Sequence, residues 1–168
     1  MELHSLQDVL LEQLADLYSA ERQLVEALPQ LASAASNTEL RSAVEHHLEE
    51  TRNHVTRLEE VFGLMAMSPP SEHCEGMEGL IKEGKQVMAT PGDPDAKDAA
   101  LIAAAQRVEH YEIAGYGTVR TLAEQLGLDD AAGLLNETLD EEGEADKKLT
   151  KIATGGLLSR GINKQAQG

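Results

Sequence analysis

Glu109 and Glu112 stand three residues apart in the run Gln106-Arg107-Val108-Glu109-His110-Tyr111-Glu112-Ile113-Ala114-Gly115-Tyr116. On a helix they share a face with Ala105, Tyr116 and Val119, because side chains recur at steps of three and four. The same anomaly, a carboxylate on an apolar stripe, recurs elsewhere. Glu21 interrupts Leu10, Leu14, Leu17, Leu24 and Leu28. Glu50 and His54 interrupt Leu40, Ala43, His47, Leu58 and Val61. Glu142 and Asp146 interrupt Leu135, Leu139 and Leu149. An unpaired carboxylate taken out of water is costly, so each must hold a proton or face a positive charge. Carboxylates are hard donors able to bridge two ions, and imidazole adds a neutral ligand. Four helices that direct such groups to one level would therefore hold a pair of divalent metal ions.

The spacing departs from the usual pattern in two places. Ferritin-like di-metal bundles take one Glu from each of two helices and a Glu-x-x-His pair from each of the other two. Here Glu21 and Glu109 would serve singly, while Glu50 and His54 are four apart, a spacing that still leaves them on one face. The last helix offers Glu142 with Asp146 and no His, and Glu112 is an additional carboxylate. Taken singly, each residue also has a plainer reading. Glu21 could sit at a stripe's edge with its head in water. Tyr18, Tyr111 and Tyr116 read as core or interface residues. His46 reads as solvated, and His47 as a core or surface residue, a ligand or a support for ligands. Glu45, Glu49, Glu141 and Glu144 fall on the solvent side. Independent edge residues, however, have no reason to fall at one level of a bundle.

The elements that must position these groups follow from composition and punctuation. The chain has 168 residues, with 2% aromatic side chains and few β-branched clusters, which fits one all-α domain. Helix is expected over 3–35, with a kink before Pro29, and over 38–62, ended by Gly63. A long connection holding Pro69 and Pro70 leads to a short helix over 74–90. Helix is expected again over 95–125, with Asp93 or Asp95 as cap, and over 130–153, with Asp129 as cap. Gly115 and Gly117 inside a helix point to close approach of a neighbour. The first pair and the last pair of long helices are joined by a few residues, so each is an antiparallel hairpin, whereas the middle connection carries a helix of its own. That is a ferritin-like four-helix bundle over 1–154 with one long crossover. The tail, 155–168, either frays or docks through Leu157, Leu158 and Ile162 on another subunit.

Net charge −16 and pI near 4.6 argue against nucleic acid and anionic membrane as partners. No secretory leader pattern and no apolar run near eighteen residues is present, so a soluble cytoplasmic protein is expected. A single cysteine, Cys74, suits a reducing compartment; it excludes a disulfide within the chain and permits one between subunits.

The sequence resembles the YciF/YciE family of ferritin-like bacterial stress proteins over residues 3 to 153. The resemblance is carried by Asp16-Leu17-Tyr18-Ser19-Ala20-Glu21, His47-Leu48-Glu49-Glu50-Thr51, Cys74-Glu75-Gly76-Met77-Glu78-Gly79-Leu80-Ile81, the block from Ala104 to Tyr116, and Leu139-Asp140-Glu141-Glu142. It implies a rubrerythrin-like or ferritin-like bundle, a homodimer and a link to stress responses. The pair Glu109 and Glu112 is similar to rubrerythrin, whose di-iron site handles peroxide. By that similarity Glu21, Glu50, Glu109, Glu112 and Glu142 carry over as ligands, followed by His54 and Asp146. The function expected is a di-metal protein, iron first and manganese second, that reacts with peroxide or oxygen or oxidises Fe(II). No Cys₄ iron site accompanies it, so reduction would come from outside the chain. The competing expectation is a dimeric helical interaction or structural protein whose inward carboxylates pair with Arg22, Arg107, Arg120 or His54.

Overall fold

Three of the four long helices start where a side chain offers an acceptor to the first free amides. In the computed structural model, which describes residues 3–155 and 160–167, Ser5 and Asp8 form a capping box that opens α1 (Leu6–Ala34). Asn37 caps α2 (Thr38–Leu64) by accepting from the amides of Glu39 and Leu40. Cys74 caps α3 (Glu75–Ala89), its Sγ accepting from the Met77 amide at 3.3 Å. Asp93 caps α4 (Pro94–Gln125), with Pro94 at the start of the helix, where a missing N–H costs nothing.

Three local expectations are corrected. Leu128, not Asp129, is the N-cap of α5 (Asp129–Thr154), and Asp129 lies in the first turn, where its charge favours the helix dipole. Gly63 does not end α2, which runs on to Leu64 before Ala66 takes the left-handed conformation at φ 55°. Gly115 does mark a close approach, since a Cβ there would lie 2.7 Å from Leu17 Cδ2 of α1, but Gly117 meets nothing within 4 Å. Helix α1 continues through Pro29 as one element.

The four long helices form an all-α, ferritin-like bundle. Helices α1 and α2 pair as one hairpin and α4 and α5 as the other; α2 meets α5, α1 meets α4, and α3 in the crossover lies against α4 and α1. A short helix, α6 (Ile162–Gln165), folds back on α4 and α5, and Ile162 is buried in the core of its own chain. Leu157 and Leu158 lie outside the described residues. No helix among the described residues is long and apolar enough to cross a membrane.

Two apolar clusters fill the bundle. One gathers Leu24, Leu28, Leu40, Met77, Leu101 and Ile102; the other gathers Leu14, Leu58, Phe62, Tyr116, Val119 and Leu135. Each fully buried Leu contributes about 2 kcal/mol of transfer free energy. On every long helix a short polar stretch separates the two. Glu21 falls between Leu17 and Leu24, His47 and His54 between Val44 and Leu58, Glu109 and Glu112 between Val108 and Tyr116, and Glu142 between Leu135 and Leu149. The polar groups thus form one layer inside the bundle, which is where a charge with no water must find another partner.

Candidate metal centre

The layer holds two overlapping groups. One ligand atom from each of His47, Glu109, Glu112 and Glu142 lies within 4.8 Å of the others, and the same holds for Glu21, His54 and Glu142. Glu142 belongs to both. All six residues are buried, with Glu21, His54, Glu112 and Glu142 at 0% exposure. Helix α1 supplies Glu21, α2 the two histidines two turns apart, α4 the two carboxylates, and α5 Glu142.

Whether these residues fit metal ions can be judged from what else satisfies them. Nine buried side-chain polar atoms lack a hydrogen bond among the described residues, and eight belong to these six side chains, including both oxygens of Glu112 and both of Glu142. Some approach each other closely: His54 Nδ1 is 3.0 Å from Glu142 Oε1 and 3.3 Å from Glu21 Oε1, and His47 Nε2 is 3.3 Å from Glu109 Oε2. They meet in directions that do not make hydrogen bonds, so proximity leaves them unsatisfied. Asp98 on α4 is equally buried and behaves differently, its two oxygens accepting from the backbone amides of Ser36 at 2.9 Å and Asn37 at 2.6 Å. Native interiors rarely leave polar atoms unpaired. Four carboxylates and two neutral imidazoles balance two dications in charge, and oxygen with imidazole donors suits iron or manganese. The donor set fits.

The electrostatics of the metal-free layer match this reading. Burial pushes the carboxyls of Glu109 and Glu112 well above the usual range; for Glu112 the negative charges of Glu142, Glu21 and Glu109 push the same way. Burial also raises Glu142, partly offset by its contact with His54. Burial would lower His54, but the carboxylates of Glu21 and Glu142 outweigh it and raise its pKa to about 11. Burial likewise opposes the charging of His47, and Glu109 and Glu50 outweigh it, raising its pKa. Tyr116, also buried, has its OH donating to Glu21 Oε1 at 2.6 Å.

Two residues expected among the ligands lie outside both groups. The Glu50 side chain, 24% exposed, stands at the rim between His46 Nε2 at 3.2 Å and His47 Nδ1 at 3.3 Å. Asp146 accepts from Gln106 Nε2 at 2.9 Å and lies 3.4 Å from His110 Nε2. In their place the layer takes His47. A second set of residues escaped the sequence reading. Glu141, expected on the solvent side, reaches back so that its Oε2 lies 2.8 Å from His54 Nε2, and it is gripped by Arg57 through Nη1 at 2.5 Å and Nη2 at 2.8 Å. Arg57 also donates to Thr138 at 3.1 Å. A carboxylate on the outer nitrogen of a ligating imidazole fixes its tautomer and ring orientation. The available signal was Arg57 one turn after His54, beside an acidic residue adjoining Glu142.

A cavity of about 450 Å³ between α1, α2, α4 and α5 reaches the layer from outside. His47 and Glu109 line its floor, with His46, Glu50, Lys147 and Lys148 among the polar groups on its walls.

Comparison with known proteins places this geometry in a lineage. Residues 5–166 match the family described as a domain of unknown function, DUF892. The chain is 47% identical over 165 residues to protein YciF of Escherichia coli, covering 98% of this chain and 99% of that one. It superposes on the crystal structure of that stress protein with a TM-score of 0.89 and 46% identity, over 99% of this chain and 100% of the other. YcfI of Rhodopseudomonas palustris gives a TM-score of 0.87 at 40% identity, over 93% and 98% of the two chains. A protein of Xanthomonas campestris pv. campestris shares the fold at 21% identity, with a TM-score of 0.69 over 87% and 88%.

Proposed function

The chain belongs to the DUF892 family, and from that premise we propose that it is a bacterial stress-response protein whose bundle holds a carboxylate-rich pair of metal ions, iron before manganese. In this reading it reacts with peroxide or dioxygen, or oxidises Fe(II), as a cytoplasmic homodimer. One observation carries the reading: eight unsatisfied buried atoms from four helices face one interior layer.

His47, Glu109 and Glu112 would hold one ion, Glu21 and His54 the other, and Glu142 would be shared. A bound iron pair supplies open coordination positions and electrons to an oxidant. The chain's own residues do the rest. Glu141, fixed by Arg57, accepts the Nε2 proton of His54 and leaves Nδ1 facing inward. The Tyr116 hydroxyl holds one oxygen of Glu21 and thereby orients that carboxylate. The apolar clusters on either side exclude bulk water, and the 450 Å³ cavity gives peroxide and cations a polar approach. An external reductant would complete a cycle.

A second reading has support of its own. With a pKa of about 11, His54 is a cation in the metal-free protein, so a non-catalytic helical stress or interaction protein could keep its buried carboxylates beside imidazolium. Arginine contributes little to it, since Arg22 lies over the Tyr18 ring and Arg120 pairs with Glu124. Even with protons on Glu109, Glu112 and Glu142 and a charge on His54, eight polar atoms of the layer lack a hydrogen bond among the described residues, and that favours the metal reading. The test is anaerobic loading with Fe(II) followed by hydrogen peroxide. The proposal expects stoichiometric oxidation of bound Fe(II) that Glu109→Ala abolishes. Oxidation no faster than that of free Fe(II), and indifferent to Glu109→Ala and Glu112→Ala, would overturn it.

A further inference from the structure

Glu109 also lines a second cavity, which shares Leu28, Leu31 and Ala105 with the first but has almost no polar groups of its own. This chamber, about 50 Å³, lies between α1, α3 and α4, with Leu24, Leu28 and Val108 at its base and the half-buried Leu80 and Ile81 of α3 at its partly open mouth. Glu109 is the one charged side chain among its described lining residues. We propose that the chamber is a dioxygen site, which brings an apolar oxidant to the Glu109 side of the metal centre while peroxide and hydrated cations use the larger cavity. The inference rests on the di-metal reading and adds to it a separation of reactants by polarity.

Size and lining select the occupant. Small-molecule pockets usually enclose roughly 300–1,000 Å³, so a space this small suits a guest of a few heavy atoms. Peroxide or a hydrated ion would surrender hydrogen bonds to water and find none along aliphatic walls, whereas an apolar diatomic surrenders none. Cavities lined by Leu and Ile stay dry and accept apolar guests, xenon among them. At the chamber's polar end Glu109 is buried, and its Oε2 has no hydrogen-bond partner. The larger cavity sets His46, Glu50 and three lysines beside aliphatic residues such as Leu28, Val44 and Leu149, so polar partners are at hand along it that the smaller one lacks.

Gly84 makes the test clean. It lines the chamber from α3, and a Cβ built on it meets nothing within 4 Å, so Gly84→Leu adds a side chain to the cavity wall while improving helix propensity. Crystals of the metal-free protein under xenon pressure are expected to show xenon between Leu24, Leu80 and Val108, and Gly84→Leu is expected to lose it. In iron-loaded protein the same substitution should slow oxidation by dioxygen several-fold and leave oxidation by hydrogen peroxide unchanged. Absence of xenon from the wild-type chamber, or equal slowing with both oxidants, would overturn the dioxygen site. Xenon bound in a protein that takes up no iron would support the chamber and overturn the metal reading, and iron content separates the two failures.

Discussion

Asp98 and Glu112 are both fully buried carboxylates on α4, and they differ in what they touch. Asp98 is satisfied by two backbone amides, whereas neither oxygen of Glu112 is satisfied at all. In metal-free protein Glu112→Gln should therefore raise stability, by about 1–3 kcal/mol in thermal or denaturant unfolding, while weakening metal binding. A variant less stable than wild type without metal would contradict this. Glu141→Gln, which touches no ion, should lower metal affinity about 10–100-fold in a competitive chelator titration, through loss of the grip on His54. A change in melting temperature with affinity intact would reduce Glu141 to an interhelix salt bridge. Glu21, Glu109, Glu112 and Glu142 stood out in the sequence because a carboxylate interrupting leucines has few physical excuses. The choice of His47 over Glu50 did not. A helical stripe fixes a face about 100° wide, both residues fall within it, and only the packing of α1 and α5 decides which side chain reaches the layer and which the rim.

At the level of elements, turn residues and connection lengths carried most of the information. The short links at 35–37 and 126–128 require hairpins, and the long link with its own helix requires the crossover. The turn between α1 and α2 has an anchor that no local pattern discloses: Asp98 reaches it from more than sixty positions away in the chain. Asp98→Ala should cost about 1–3 kcal/mol by leaving two amides unpaired, measured by chemical denaturation. Gly115 and Gly117 look alike in sequence, but one faces Leu17 and the other open space. Gly115→Ala should destabilise, while Gly117→Ala should stabilise by up to about 1 kcal/mol. Equal effects of the two would mean that α1 and α4 are not in close contact at that level. The return of α6 onto α4 and α5 was open in the sequence, because Ile162 in a tail fits any apolar surface, its own core included.

For the whole molecule, stability and metal binding are tied to one set of protons. Folded metal-free protein keeps protons on Glu109, Glu112, Glu142 and His54 at pH values where the unfolded chain has lost them. The stability these groups contribute is thus fully present below their unfolded pKa values and declines as pH rises; for His54 the loss runs from 6.5 to about 11. Metal ions require the same groups deprotonated, so affinity climbs over the same range. The gap between the melting temperatures of metal-loaded and metal-free protein should widen from about pH 6 to about pH 8, and a constant gap would contradict the linkage. The claim beneath all of this is that cations occupy the polar layer. Its most direct measurement is elemental analysis of protein purified without chelator, joined to anomalous diffraction at the iron and manganese edges. Two ions per chain are predicted, one beside His47, Glu109 and Glu112, the other beside Glu21 and His54, with Glu142 touching both. Metal-free crystals grown from protein given excess Fe(II) or Mn(II), with Glu112 and Glu142 still protonated, would contradict it.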